Sequence, residues 1–286
     1  MRHLNIMELS FYPYHLNIFS ELKNMGKGRY RNLRTVFILF IIIITGGCKN
    51  TGKITEPGVI LTFDDRNMLN WEKQIPLFAK YNAHVTFFVD RFDELTPEQL
   101  QALKRLKEAG HTIGCHGLRH RKAAEFCEKF SVEDYIVAEI EPAIKVMEEK
   151  GFPPMCFAYP NSNHSALTDS VLLNYFRYLR SGGIRIDDSS SNKEKAFVPV
   201  NDIRGKGRLD GVSFHPKSKN DDLVLQVKDA IKRLKENNEL LVLYAHDIRN
   251  LGEEGPKNYI TVEALDEILS YAHKYQIKFY SYEELP

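Results

Sequence analysis

Val59-Ile60-Leu61-Thr62-Phe63-Asp64-Asp65 decides how the rest of the chain is read. An apolar, β-branched run that ends abruptly in two carboxylates is the pattern of a buried strand emerging at the rim of a sheet. Rims where parallel strands end are where α/β proteins place their chemistry. Neighbouring side chains on a strand point opposite ways. A turn directly after the strand is therefore needed if both carboxylates are to reach one cavity. Taken alone, an Asp-Asp pair is more often a solvated turn, and it gains meaning only from partners elsewhere in the chain.

Upstream of this strand the composition changes. Residues 36–44 form a continuous apolar run preceded by Lys27, Arg29, Arg31 and Arg34 and followed by Thr45-Gly46-Gly47-Cys48. A basic region, a short apolar core and small residues read as a secretory signal, since a spanning helix needs roughly 20 apolar residues. Cys48 after Gly-Gly resembles the acylated cysteine of bacterial lipoproteins, although Thr45 stands where that pattern prefers Leu. Residues 1–47 are thus expected to be a signal segment with its true start at Met25, and 48–57 a tether. An uncleaved anchor and a soluble signal are the other readings. The expected location is outside the cytoplasm, as a membrane-anchored bacterial lipoprotein.

Downstream, strand and helix alternate. Strands are expected at 59–62, 84–89, 112–114, 155–158, 178–180, 240–245 and 278–280, and helices at 71–81, 165–175, 221–237 and 261–274. One more helix is marked by Thr96 as N-cap, Pro97 in the first turn, Gln99 closing a capping box and Gly110 as stop. Another is capped by Ser131 and runs to Lys150, where Gly151 ends it. Residues 181–220, rich in Gly, Ser, Asp and Lys, read as loops around one short strand near 197–200. The alternation, without repeats or a linker after Pro57, argues a single parallel α/β domain over 58–286. The number of units fits a (β/α) barrel better than an open sheet.

Bulk properties narrow the function classes. The 286 residues, 43% hydrophobic and 27% charged, are ordinary for a globular protein. A formal net charge of +1 gives no electrostatic reason to expect nucleic acid. The 4 cysteines include no CxxC pair, so neither a zinc knuckle nor a disulfide framework is indicated. Cys127 and Cys156 read as buried thiols, and Trp71 as core or pocket wall rather than a sugar platform.

Two further strand ends carry reactive groups. His116-Gly117-Leu118-Arg119-His120 places two histidines four apart, which face one point if the segment turns helically. With 10 histidines in the chain, one such pair is unremarkable by itself. Two imidazoles and one carboxylate nevertheless make the ligand set of a hydrolytic divalent site, zinc above all. Such an ion brings the pKa of a bound water to about 7, and the spare aspartate is placed to take its proton. The third end is Leu240-Leu241-Val242-Leu243-Tyr244-Ala245-His246-Asp247, where His246 is either a rim residue bonding a loop or an acid for a leaving nitrogen.

Thr62-Phe63-Asp64-Asp65, His116-xxx-His120, Phe157-Ala158-Tyr159-Pro160 and Leu241-Val242-Leu243-Tyr244-Ala245-His246, in that order, resemble the NodB-homology polysaccharide deacetylases, carbohydrate esterase family 4. The resemblance covers Gly58 to the C-terminus. It implies a distorted (β/α) barrel and the hydrolysis of N-acetyl, less often O-acetyl, groups from a cell-envelope or extracellular polysaccharide. It also implies Asp65, His116 and His120 as ligands of a divalent metal (Zn2+, with Co2+ or Ni2+ as others), Asp64 as base and His246 as acid. Tyr159, Pro160 and Asn161 would hold the oxyanion through backbone N–H groups.

The chain departs from the family pattern at several points. Arg66 replaces a usual Gly, which implies a narrowed mouth or an added positive charge. Gly117 replaces a Ser or Thr that braces the loop, and Cys115 a common Asn. Ala158 stands where many members carry the arginine that orients the base, leaving Arg180 to supply that charge from the next strand. For the aspartate that orients the acid histidine, the sequence offers Asp187 and Asp188. Two rival functions stay open: a catalytically silent glycan-binding module, and a hydrolase of another non-peptide C–N bond.

Overall fold

The computed structural model describes residues 54–186 and 191–286. Cys48, Met25 and the signal segment lie outside the described residues, as do Asp187 and Asp188. Residues Thr51–Pro286 form one unit.

The chain begins with β1 (Gly58–Asp65) and two short helices, α1 (Met68–Glu72) and α2 (Ile75–Lys80). The single helix expected at 71–81 is broken because Pro76 lies in the first turn of α2. Its ring and missing N–H do not allow a helix to continue through it. β2 (Thr86–Val89), α3 (Pro97–Glu108) and β3 (Thr112–Cys115) follow. α3 has the expected box: Gln99 N–H donates to Thr96 Oγ1 at 3.2 Å, and Thr96 N–H to Gln99 Oε1 at 2.9 Å.

After α4 (Ala123–Lys129), Ser131 caps α5 (Val132–Tyr135) in a second box with Asp134. The helix then widens into a π turn, Ile136–Ile140, before resuming as α6 (Glu141–Glu149). Pro142, in the first turn of α6, explains the widening. A proline inside a helix removes a donor and collides with the carbonyl four residues back. Glu141 N–H accordingly reaches Ile136 O, an i to i−5 bond.

β4 (Cys156–Ala158), α7 (Ala166–Leu172) and β5 (Tyr178–Arg185) come next, then β6 (Phe197–Pro199) and β7 (Arg208–Ser213). The stretch expected to be mostly loops thus holds a full barrel strand, β7, and a β5 longer than anticipated. Leu-Asp-Gly-Val-Ser carries too few apolar residues to announce a buried strand. The chain closes with α8 (Asp222–Asn237), β8 (Glu239–Ala245), β9 (Asp247–Arg249), β10 (Tyr259–Thr261), α9 (Val262–Lys274) and β11 (Lys278–Phe279).

Strands β1, β2, β3, β4, β5, β7 and β8 run parallel in that order, and β8 pairs back onto β1 to close a barrel. β6 lies antiparallel on the start of β8, and β11 pairs with the start of β1. The barrel is distorted by a register shift between Ser181 and Ile184 on β5. Side chains of β1 alternate between two cores. Val59, Leu61 and Phe63 pack outward against the helices, and Ile60 packs inward with Phe88, Ala158 and Val242. Thr62, also buried, spends its hydroxyl on Leu243 O at 3.3 Å. Among the described residues no helix is long and apolar enough to cross a membrane.

Candidate active site

The carboxyl ends of β1, β3, β4, β5, β7 and β8 surround one polar cavity of about 420 Å³. Asp64 continues the inward alternation of β1 and is buried. Asp65 would by the same rule face the helices, but its φ of 79° turns the chain and brings its carboxylate to the cavity. Asp tolerates this left-handed conformation better than β-branched residues do.

His116 leaves β3 with its N–H on Val89 O at 3.0 Å. The next residues do not turn helically. Gly117 (φ 86°) and His120 (φ 57°) instead fold the segment into a tight loop that sets the two imidazoles 4.8 Å apart. Asp65 Oδ1 lies 3.7 Å from His116 Nε2 and 3.5 Å from His120 Nε2. One ligand atom from each of the three lies within 4.8 Å of the others. His116 Nδ1 is 2.8 Å from Ala158 O, which only accepts, so the proton sits on Nδ1 and Nε2 presents its lone pair to the cluster. Burial, followed by the neighbouring His120, pushes the His116 ring down to about 3, which keeps it uncharged.

The loop is braced from the π turn. Glu139, fully buried, accepts the backbone N–H of Arg119 at 2.8 Å and of Arg121 at 3.0 Å on one oxygen, on either side of His120. A Cβ on Gly117 would stand 2.6 Å from that oxygen. Glycine here makes room for a carboxylate that does the bracing the missing hydroxyl would have done. Cys115 accepts Gly117 N–H at 3.4 Å, and burial pushes its thiol up to about 12. Cys115, Cys127 and Cys156 are all free, Cys127 half-buried and the others buried.

Across the barrel, the Arg180 guanidinium bonds Asp64 Oδ2, with both side chains buried. It also lies 4.6 Å from the Tyr244 ring and 5.5 Å from that of Phe88. Asp64 Oδ1 is buried and has no hydrogen-bond partner among the described residues. Arg66 turns away from the site to Asp90 (3.5 Å) and Glu94 (3.1 Å), so its charge is paired and not free at the mouth.

His246 points Nε2 at Asp65 Oδ2, 4.0 Å away. Its carbonyl accepts the Trp71 indole N–H at 2.7 Å, so Trp71, stacked on Phe87 in the core, supports the site from behind rather than lining it. Its Nδ1 lies 2.8 Å from Nε2 of His215, a residue the sequence did not single out. His215 follows β7, the strand that went unread, and the only signal was the brief alternation Val212-Ser213-Phe214 before it.

The oxyanion expectation needs correction. Tyr159 spends its N–H on Arg180 O at 2.9 Å, and Pro160 has none to give. Asn161 is left as the backbone donor among the three; with φ 53°, it lines the cavity beside Ser162 and Gly183. Tyr159 also borders the cavity, but its ring packs outward against Phe157 and His164.

A parallel barrel whose strand ends gather a carboxylate and two histidines, with a second carboxylate and a third histidine beside them, is the architecture of a class of barrel hydrolases. Residues 51–175 match the family model described as polysaccharide deacetylase, a family of hydrolases. Solved structures agree in fold. The chitin deacetylase of the fungal pathogen Colletotrichum lindemuthianum is similar at 16% identity, over 81% of this chain and 88% of that chain, with a TM-score of 0.55. A Streptococcus mutans CE4 esterase is similar at 17% identity, over 81% and 88%, with a TM-score of 0.52. A peptidoglycan N-acetylglucosamine deacetylase is similar at 18% identity, over 82% and 90%, with a TM-score of 0.52. No curated protein matches in sequence.

Proposed function

We propose that the protein is a metal-dependent deacetylase that hydrolyses N-acetyl groups, and less readily O-acetyl groups, on a cell-envelope or extracellular polysaccharide. The observation that carries this reading is the convergence of Asp65, His116 and His120 on one point, with Asp64 and His246 at the same cavity. Two imidazoles and a carboxylate suit a divalent ion, Zn2+ first and Co2+ or Ni2+ next. His116 Nε2 has its lone pair free for one, since Nδ1 is held by Ala158 O. Such an ion, when bound, supplies Lewis acidity and an acidified water.

The remaining chemistry belongs to the chain. Arg180 pins Asp64 Oδ2, so the unpartnered Oδ1 is the oxygen that takes a proton from the attacking water. As water oxygen bonds to the acetyl carbon, the carbonyl oxygen gains charge, which the backbone N–H of cavity-lining Asn161 would stabilise. The C–N bond then breaks while His246 Nε2 gives its proton to the leaving nitrogen, releasing acetate and an amine. Similarity to chitin and peptidoglycan deacetylases supports an N-acetylated hexosamine polymer as substrate class. A silent binding module would have no use for a buried carboxylate oxygen left unbonded at a cavity wall.

We place the protein outside the cytoplasm, held at a membrane by acylated Cys48, on the basic-then-apolar pattern before it. The test of the activity is acetate release from a panel of N- and O-acetylated glycans, with and without chelator. Release that depends on added divalent metal is expected. No release from any glycan, alongside turnover of a non-sugar amide, would move the protein to the rival C–N hydrolase reading.

A further inference from the structure

His215 is bonded to the histidine on which the proposed acid step depends, and no motif of the family resemblance includes it. Its Nε2 lies 2.8 Å from His246 Nδ1, and the two rings are 28° from parallel with centroids 5.0 Å apart. On its other side, His215 Nδ1 is 3.3 Å from Ser213 Oγ. The Trp71 indole holds the His246 carbonyl, so the ring's backbone is fixed as well.

We infer that His215 is a positioning residue that fixes the tautomer of His246, accepting its Nδ1–H so that Nε2 is the nitrogen that carries and releases the proton. This rests on the deacetylase reading. A histidine that acts as an acid is protonated on both nitrogens, and a half-buried Nδ1–H is then best satisfied by an acceptor beside it. His215 Nε2 is that acceptor. With its own proton on Nδ1, directed at Ser213 Oγ, it forms a chain running Nε2 of His246, Nδ1 of His246, His215, Ser213. Burial first, then His246 and Lys217, pushes the His215 ring down to about 4, so it stays uncharged near neutral pH and able to accept.

After His246 has given its Nε2 proton to the leaving nitrogen, the Nδ1–H remains on His215. The ring is then ready to be reprotonated at the same atom. The partner here is an uncharged ring rather than a carboxylate, so it supplies direction without a countercharge. Orientation of an acid or base by a third group is a general device of such sites.

Two measurements on the full chain decide it. In the first, histidine-labelled nitrogen NMR spectra are assigned through His246→Gln. Neutral His246 is expected to carry its proton on Nδ1 and a bare Nε2, and to lose that preference in His215→Leu. In the second, His215→Leu should lower kcat on an N-acetylated oligosaccharide about 10–100-fold with KM little moved. An aryl acetate needs no proton on its leaving group and should lose less, so the amide-to-ester rate ratio drops at least about tenfold. His215→Gln, which keeps an uncharged acceptor, should recover most of that ratio. A wild-type His246 protonated on Nε2 alone, or equal losses on amide and ester, would overturn the inference. If the wild type released no acetate from any glycan, the deacetylase reading would fail, while the nitrogen spectra would still decide the role of His215.

Discussion

Gly117→Ser restores a family-like residue and should damage this protein. Gly117 sits at φ 86°, where any side chain pays about 1–2 kcal/mol. The new Cβ would stand 2.6 Å from Glu139 Oε1. A carboxylate at the end of a flexible side chain usually moves aside, but this one is fully buried and accepts two backbone N–H groups. Displacing it forfeits at least one hydrogen bond to a charged group, about 1.5–3 kcal/mol. The sum is about 2.5–5 kcal/mol, or a fall in Tm of about 5–20 °C for a domain of this size. Because the lost bonds flank His120, affinity for Zn2+ should fall as well, by about 10–100-fold. Calorimetric melting and zinc titration of Gly117→Ser, Glu139→Ala and the double variant provide the assay. The two changes should be strongly non-additive, since Glu139→Ala already removes both the clash and the brace. A Gly117→Ser protein that melts within a degree of wild type and binds zinc equally well would refute the reasoning.

Three further outcomes are expected. Asp65→Asn, His116→Ala and His120→Ala should lose the ion on metal analysis, whereas Asp64→Asn should keep it and lose at least about a hundredfold in kcat; near-normal turnover in metal-loaded Asp64→Asn would sink the mechanism. His111 is buried against Phe78 and Phe87, and that burial, with His84 beside it, pushes its ring from the ordinary 6.5 down to about 4. The unfolded chain binds more protons through that window, so the stability His111 allows is full above 6.5 and is lost as the pH falls towards 4, by up to about 3 kcal/mol; urea midpoints across this range should vary less in His111→Gln, and an unchanged slope would count against it. Expressed in a bacterium from its full sequence, the protein should partition into detergent, and Cys48→Ser should abolish acylation; a mature chain that retains residues before Cys48 would exclude the lipoprotein reading.

The barrel was legible because most of its strands advertise themselves. Gly58–Asp65 and Glu239–Ala245 are buried almost throughout and pair along six residues, so their apolar runs had to be continuous. Capping boxes at Thr96 and Ser131 wrote two helix starts into four residues each. What failed to show was structure held by neighbours rather than by its own composition. β7 is pinned between β5 and β8, and half of its Arg-Leu-Asp-Gly-Val-Ser is polar. The π turn depends on Pro142, whose effect on the residues before it has no sequence period to betray it.

The site was legible in its residue types but not in how they meet. Asp65, His116 and His120 could be named from spacing and resemblance, yet strand alternation sends Asp65 the wrong way, and the histidine spacing suggested a helix that is not there. Their meeting depends on three left-handed residues, Asp65, Gly117 and His120. Such conformations cost energy and persist only where surrounding structure fixes them. Here the fixing comes from Glu139, whose buried oxygen ties down the N–H groups on either side of His120. The π turn, the glycine and the buried glutamate therefore belong to one device. Pro142 widens the turn that carries Glu139, Gly117 leaves space for its carboxylate, and that carboxylate holds the loop in the shape that aims two imidazoles at Asp65. Each part alone reads as a local oddity, and only the contact between them, across some twenty residues of chain, gives them a common purpose.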